Sequence, residues 1–187
     1  MIRMYRYSEE GRSFLLVDGR DVEVPRFRKA RSVHELCLVH GVDGIGVLDK
    51  SDVADFRLGF IDASGRGTPA SGLGSQVSSQ AEASVSVTEA DSPAGTLPAN
   101  PRFVANARAT DGTLSASSIA GAAICAVAFA DLVGVKPFHS TEYTLEIAGE
   151  IYSASILSHL GECKVVSLSS PGHAPISGPA VCEGEVD

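Results

Sequence analysis

The stretch from Ile119 to Val133 limits the possible folds more than any other part of the chain, because it is apolar on nearly every side of a helix and only Asp131 interrupts it. A helix without a polar face cannot lie on a surface and has to be surrounded by protein. Its ends are marked. Ser117 or Ser118 can cap the first turn, Gly134 fits the left-handed stop position, and Pro137 prevents continuation. Most other ordered segments read as strands, so the expected fold class is α+β: a single domain in which an antiparallel curled sheet wraps around a central apolar helix. A chain of 187 residues, 44% of them hydrophobic, supports one such core.

The first strands are expected at Ile2 to Tyr7 and Ser13 to Val17, joined by a Ser8-Glu9-Glu10-Gly11 turn. Ser32-Val33-His34-Glu35 has the spacing of a capping box, which predicts a short helix from Val33 to Val39 that Gly41 ends. Strands follow at Gly44 to Leu48 and Ala54 to Ile61, the second with Phe56, Leu58 and Phe60 on one face. Residues 65–101 shift to Ser, Ala, Gly, Thr and Pro and read as a flexible surface insertion, with Val85 to Val87 compatible with a short edge strand. A second hairpin is predicted over Phe103 to Ala109 and Thr113 to Ala116, around Asp111-Gly112. Further strands are expected at Tyr143 to Ala148, Ile151 to Leu157 and Lys164 to Leu168, the first two joined at Gly149-Glu150. This places one domain at residues 1–170 and a loosely ordered tail at 171–187.

Charge and composition remove several function classes. The net charge is −8, and the basic run Arg26, Arg28, Lys29, Arg31 is too short for a phosphate-facing surface, which argues against nucleic acid. The amino terminus lacks the apolar core of a signal peptide, and no segment approaches the roughly 20 uninterrupted apolar residues of a membrane span. A cytoplasmic protein is the expectation. Cys37, Cys125, Cys163 and Cys182 are far apart and read as free thiols, and His139, His159 and His173 are too dispersed for a metal site. Neither a metal nor a cofactor is expected.

Three blocks of sequence resemble the amino-terminal half of the diaminopimelate epimerases. Met4-Tyr5-Arg6-Tyr7 through Gly11-Arg12-Ser13-Phe14 to Asp18 is similar to the family's first hairpin. Leu36-Cys37, Gly41 to Leu48, Ala54 to Arg57 and Phe60-Ile61-Asp62-Ala63-Ser64-Gly65 resemble its helix, Gly-Ala-Asp-Gly turn and strand end. Ser118 to Cys125, continuing through Phe129, Leu132 and Gly134, resembles the start of its buried helix. In that family two such domains face each other, and a cysteine from each exchanges a proton at an amino acid's α-carbon; inversion requires acid/base groups on opposite faces. The helix amino end lowers the thiol pKa, and its backbone amides hold the substrate carboxylate.

The resemblance also shows what has changed. Aligned on Cys125, Ile119 takes the place of the catalytic cysteine and Ala120-Gly121-Ala122 that of Gly-Asn-Gly; aligned on Asp111-Gly112, Ser118 stands at the cysteine. Arg12 and Ser13 replace the first hairpin's Asn and Asp, and Asp62 replaces the Asn of the strand end. These substitutions imply a cysteine-independent isomerase or cyclase-like enzyme acting on a small amino-acid-derived or carbonyl compound. Asp62, His40 and Asp43 are the acid/base candidates, with Ser118 and Ser117 as hydroxyl donors. Arg12, Ser13, Ser117, Ile119, Ala120, Gly121 and Ala122 are the candidate ligand contacts. A second copy in a homodimer would supply the facing half-site, the alternative being a partner encoded elsewhere. The alternative is a non-catalytic binding or assembly protein on the same fold.

Overall fold

A computed structural model of the chain describes residues 2–68, 116–137, 139–169 and 175–187, with residues 116–118 described as backbone. The expected insertion beyond Thr68 and the hairpin around Asp111-Gly112 lie outside the described residues. The described chain forms eight strands: β1 Met4–Glu9, β2 Arg12–Asp18, β3 Gly44–Asp49, β4 Phe56–Asp62, β5 Glu142–Ile147, β6 Glu150–Leu160, β7 Cys163–Ser169 and β8 Ile176–Val186. Two helices, α1 Ala30–His40 and α2 Ala116–Leu132, separate β2 from β3 and β4 from β5, and a single 3-10 turn at Pro25–Arg28 leads into α1. The strands pair in sequence order, and β8 returns to β1 to close a barrel.

The barrel corrects the expected antiparallel sheet. The pairs β2/β3 and β4/β5 are parallel, and the remainder are antiparallel. The reason is connectivity. Each parallel pair brackets a helix, and a strand–helix–strand crossover carries the chain back to the end of the sheet from which it started. Where the linker is only two residues the strands turn back on themselves. Glu10 and Gly11 join β1 to β2, and Ala148 and Gly149 join β5 to β6, with φ of 44°, 82°, 51° and 81°. Positive φ at both central positions matches a two-residue hairpin loop to the right-handed strand twist.

Strand alternation splits the core in two. Facing inward, Phe14, Leu16, Phe56, Leu58, Phe60, Tyr143, Leu145, Tyr152, Val166 and Leu168 form one cluster with Ile119 and the residues from Ala122 to Ala130. Helix α2 packs against β1 to β4 and β6 to β8. Phe129 meets Tyr5 and Tyr7 with ring centroids 5.5 and 6.1 Å apart. The opposite faces of β2 and β3, carrying Leu15, Val17, Ile45 and Val47, form a second cluster beneath Phe27, Val33, Leu36 and Cys37. Gly44 and Gly46 are needed on the inner face of β3, where a Cβ would stand 2.5 Å from the Phe60 ring and 2.6 Å from Leu16.

Three further expectations are revised. Ser32 does not cap α1: the helix begins at Ala30 after Lys29, no side chain caps it, and Glu35 pairs with Arg31 one turn back. Ser117 and Ser118 lie within the first turn of α2 rather than ahead of it. Most of the expected loose tail is β8, which is held on one side by β7 and on the other by β1. Both helix stops are as expected, with Gly41 at φ 61° and Gly134 at φ 68°.

Candidate active site at the amino end of the central helix

The inner face of β1 presents Tyr5, Tyr7 and Glu9 in turn. Because β1 runs against the helix direction, Tyr5 and Tyr7 reach Phe129, while Glu9 arrives two turns earlier in the helix at Gly121. A Cβ on Gly121 would lie 2.8 Å from Glu9 Oε2, and one on Gly178 of β8 would lie 2.7 Å from Glu9 Oε1. The two glycines therefore make the slot that admits the carboxyl group. Phe14 and Ile124 complete its walls, at 3.3 Å and 3.2 Å from the same two positions.

Glu9 is 8% exposed, and none of the hydrogen bonds among the described residues ends on its carboxyl group. Burial raises its pKa above the usual carboxylate value, the neighbouring Glu10 adds to the rise, and Arg12 across the hairpin opposes it. The pairing Glu9↔Arg12 sets that guanidinium at the same rim. A carboxylic acid whose pKa is raised by burial is the kind of group that general acid–base chemistry uses. One turn before Gly121, the start of α2 carries backbone amides that have no partner within the helix.

The thiols are placed differently. Cys125, one turn beyond Gly121, has its pKa raised well above the ordinary thiol value by burial and then by Glu9 and Glu183. Burial, with Asp62 and Asp43 adding to it, pushes Cys37 up to about 11. Neither is poised as a thiolate.

Of the residues singled out from sequence, Arg12 and Gly121 are brought beside Glu9. Ser13 points to the outer side of β2, where its N–H donates to Asp43 Oδ2 at 2.8 Å and the Asp43 N–H donates back to the Ser13 carbonyl at 2.8 Å. Asp43 is otherwise exposed. Asp62 Oδ1 accepts from Ser64 N–H at 2.9 Å, Ser64 Oγ at 2.6 Å and Arg66 N–H at 3.0 Å, so it holds a turn together. His40 ends α1 on the outside of the barrel, and its carbonyl accepts from Arg6 Nη1 at 2.7 Å. Ser117 and Ser118 are in the first turn of α2; Ile119 and Ala122 are wholly buried and Ala120 is 7% exposed. Gly121 belongs to the slot itself.

The other end of α2 carries a second acid. Asp131 Oδ1 accepts from Tyr143 OH at 2.9 Å, and Oδ2 is ion-paired with Lys164. Burial alone would raise the Asp131 pKa, but Lys164 and Tyr143 outweigh it and the net displacement is downward.

No protein-family model and no curated protein sequence matches the chain. Among solved structures it is similar to a Bacillus anthracis phenazine biosynthesis protein of the PhzF family, at 10% identity and a TM-score of 0.49, over 89% of this chain and 40% of that one. It is also similar to a probable proline racemase from Agrobacterium radiobacter K84, crystallised with bound carbonate, at 12% identity and a TM-score of 0.44, over 95% of this chain and 48% of that one. The chain spans less than half the length of either protein. Neither likeness assigns an activity to it.

Proposed function

We propose that the chain is a divergent protein of the diaminopimelate-epimerase fold that moves protons on a small amino-acid-derived or carbonyl compound without cysteine, as an isomerase or cyclase-like enzyme. The observation that carries the reading is Glu9: a buried carboxyl group of raised pKa, without a donor among the described residues, in a slot made by Gly121 and Gly178. In this reading Glu9 supplies the acid/base group that the family draws from a thiol. Arg12 and the backbone amides of the first turn of α2 hold the ligand's anionic group. A homodimer that sets two such rims face to face would enclose the ligand and supply a second acid/base group.

The test is solvent exchange. The protein is incubated in deuterated water with small amino acids and 2-oxo acids, and deuterium at the carbon next to the carboxylate or carbonyl is followed by NMR. The reading expects incorporation with at least one compound and its loss in Glu9→Gln. Absence of exchange with every compound, together with unmoved amide signals of Gly121 and Gly178, would reject it in favour of a protein that assembles without catalysis.

A further inference from the structure

At the carboxyl end of α2 two cavities share a wall. One, of about 410 Å³, is lined by Ile2, Tyr5, Val22, Phe129, Leu132 and Val133 together with Arg3 and Asp18, which are ion-paired with Glu185 and Arg20. The other, of about 680 Å³, is lined by Lys136, His139, His159 and Lys164, with Asp131 as its one lining carboxylate among the described residues. Leu132 belongs to both, and this apolar side chain is 49% exposed on the ridge between them. A mostly apolar lobe and a lobe that carries two lysines therefore meet at a half-exposed leucine.

A helix carboxyl end ordinarily repels anions, because its last carbonyls point outward. Here those carbonyls are engaged. Val133 N–H donates to Phe129 O at 2.9 Å, Gly134 N–H to Asp131 O at 3.3 Å and Val135 N–H to Ala130 O at 2.9 Å, the closing bonds of a left-handed stop. Arg20 Nη2 donates to Val133 O at 3.2 Å. Asp131 is occupied by Lys164 and Tyr143. Lys136 donates to Glu142 O at 2.9 Å and lies 3.4 Å from Asp55 Oδ2; Lys164 pairs with Asp131 and lies 3.5 Å from Ala128 O. An ammonium has three N–H groups, so each lysine retains one for a further acceptor. The exposed ring of His159, opposite Lys164 across the β6/β7 ladder, adds another donor.

We propose that the two neighbouring cavities together bind an amphiphilic carboxylate of medium chain length. Its hydrocarbon lies in the apolar lobe, crosses and covers Leu132, and its carboxylate meets Lys136, Lys164 and His159. The combination of an apolar wall and a few convergent polar groups is that of small-molecule sites in general. The site is at the opposite end of α2 from Glu9 and does not depend on proton transfer there.

Calorimetric titration with octanoate tests this, with octanol as the chain without the charge, acetate as the charge without the chain, and octylamine as the chain with the opposite charge. Octanoate is expected to bind at least tenfold more tightly than each of the three. Leu132→Asp and the milder Leu132→Ser should both weaken it, the first at least tenfold, while Glu9→Gln leaves it unchanged. Octanoate failing to bind, octanol or octylamine equalling it, or undiminished binding in both Leu132 variants would overturn the proposal.

Discussion

The two ends of α2 each hold a carboxyl group against the same helix, and the two groups are treated in opposite ways. At the carboxyl end Asp131 sits where the helix dipole disfavours a negative charge, and it is kept ionised by Lys164 and Tyr143. At the amino end Glu9 sits where the dipole favours a negative charge, yet burial pushes its pKa up because nothing described donates to it. The first arrangement is a closed structural knot, and the second leaves the acid without a fixed counter-charge of that kind. What separates them is whether a fixed donor is present. The sign of the helix dipole does not decide the outcome at either end.

The comparison can be broken most forcefully at Lys164. Its removal in Lys164→Met leaves Asp131 half-buried without its cation, which should cost about 3 kcal/mol of stability by the usual penalty for breaking a buried pair. Chemical denaturation measures this; a cost under about 1 kcal/mol would mean that Asp131 is adequately solvated. At the same end, Gly134→Ala forces a Cβ into the left-handed cap and should cost about 1 kcal/mol. At the amino end, Gly121→Ala should cost less than Lys164→Met, because the Glu9 carboxyl that it meets at 2.8 Å can swing away, but any proton-exchange activity should fall sharply as the acid leaves its slot.

The smallest effect is a difference in pH dependence. Since the folded-state pKa of Glu9 is raised, its contribution to stability is complete below the unfolded carboxyl value of about 4.3 and is lost as pH rises through the folded value. Glu9→Gln should therefore leave the unfolding midpoint nearly unchanged in acid and raise it by a few degrees above neutrality. Asp131 behaves in the reverse sense. Its pKa is lowered, so its contribution is present above the unfolded value of about 3.9 and disappears as pH falls through the folded one. Thermal melts across this range would show whether the two slopes have opposite signs.

Much of the strand order could be read from sequence because alternation is explicit there, as in Phe56, Leu58 and Phe60, and because Gly41 and Gly134 mark helix ends chemically. Reading the first turn as Ser8 to Gly11 hides Glu9. The loop is only Glu10-Gly11, which leaves Glu9 in the strand and on the face of Tyr5 and Tyr7. A two-residue loop at Glu10-Gly11 sets the strand register that turns Glu9 inward. Strand β8 escaped for a different reason. Its inward residues Gly178, Ala180 and Cys182 are small because Glu9, α2 and Tyr7 already fill the space they face, and Pro179 reads as a breaker although it lies within the strand. Asp62 and Ser13 were suggested by alignment, but sequence could not show that a turn and Asp43 already engage them.

The protonation of Glu9 is the most direct point of attack. Carbon-13 NMR of the glutamate side chains, with Glu9 assigned by its loss in Glu9→Gln, follows its carboxyl carbon through a pH titration. The account predicts a midpoint clearly above that of the exposed glutamates, and a midpoint at or below theirs would contradict it.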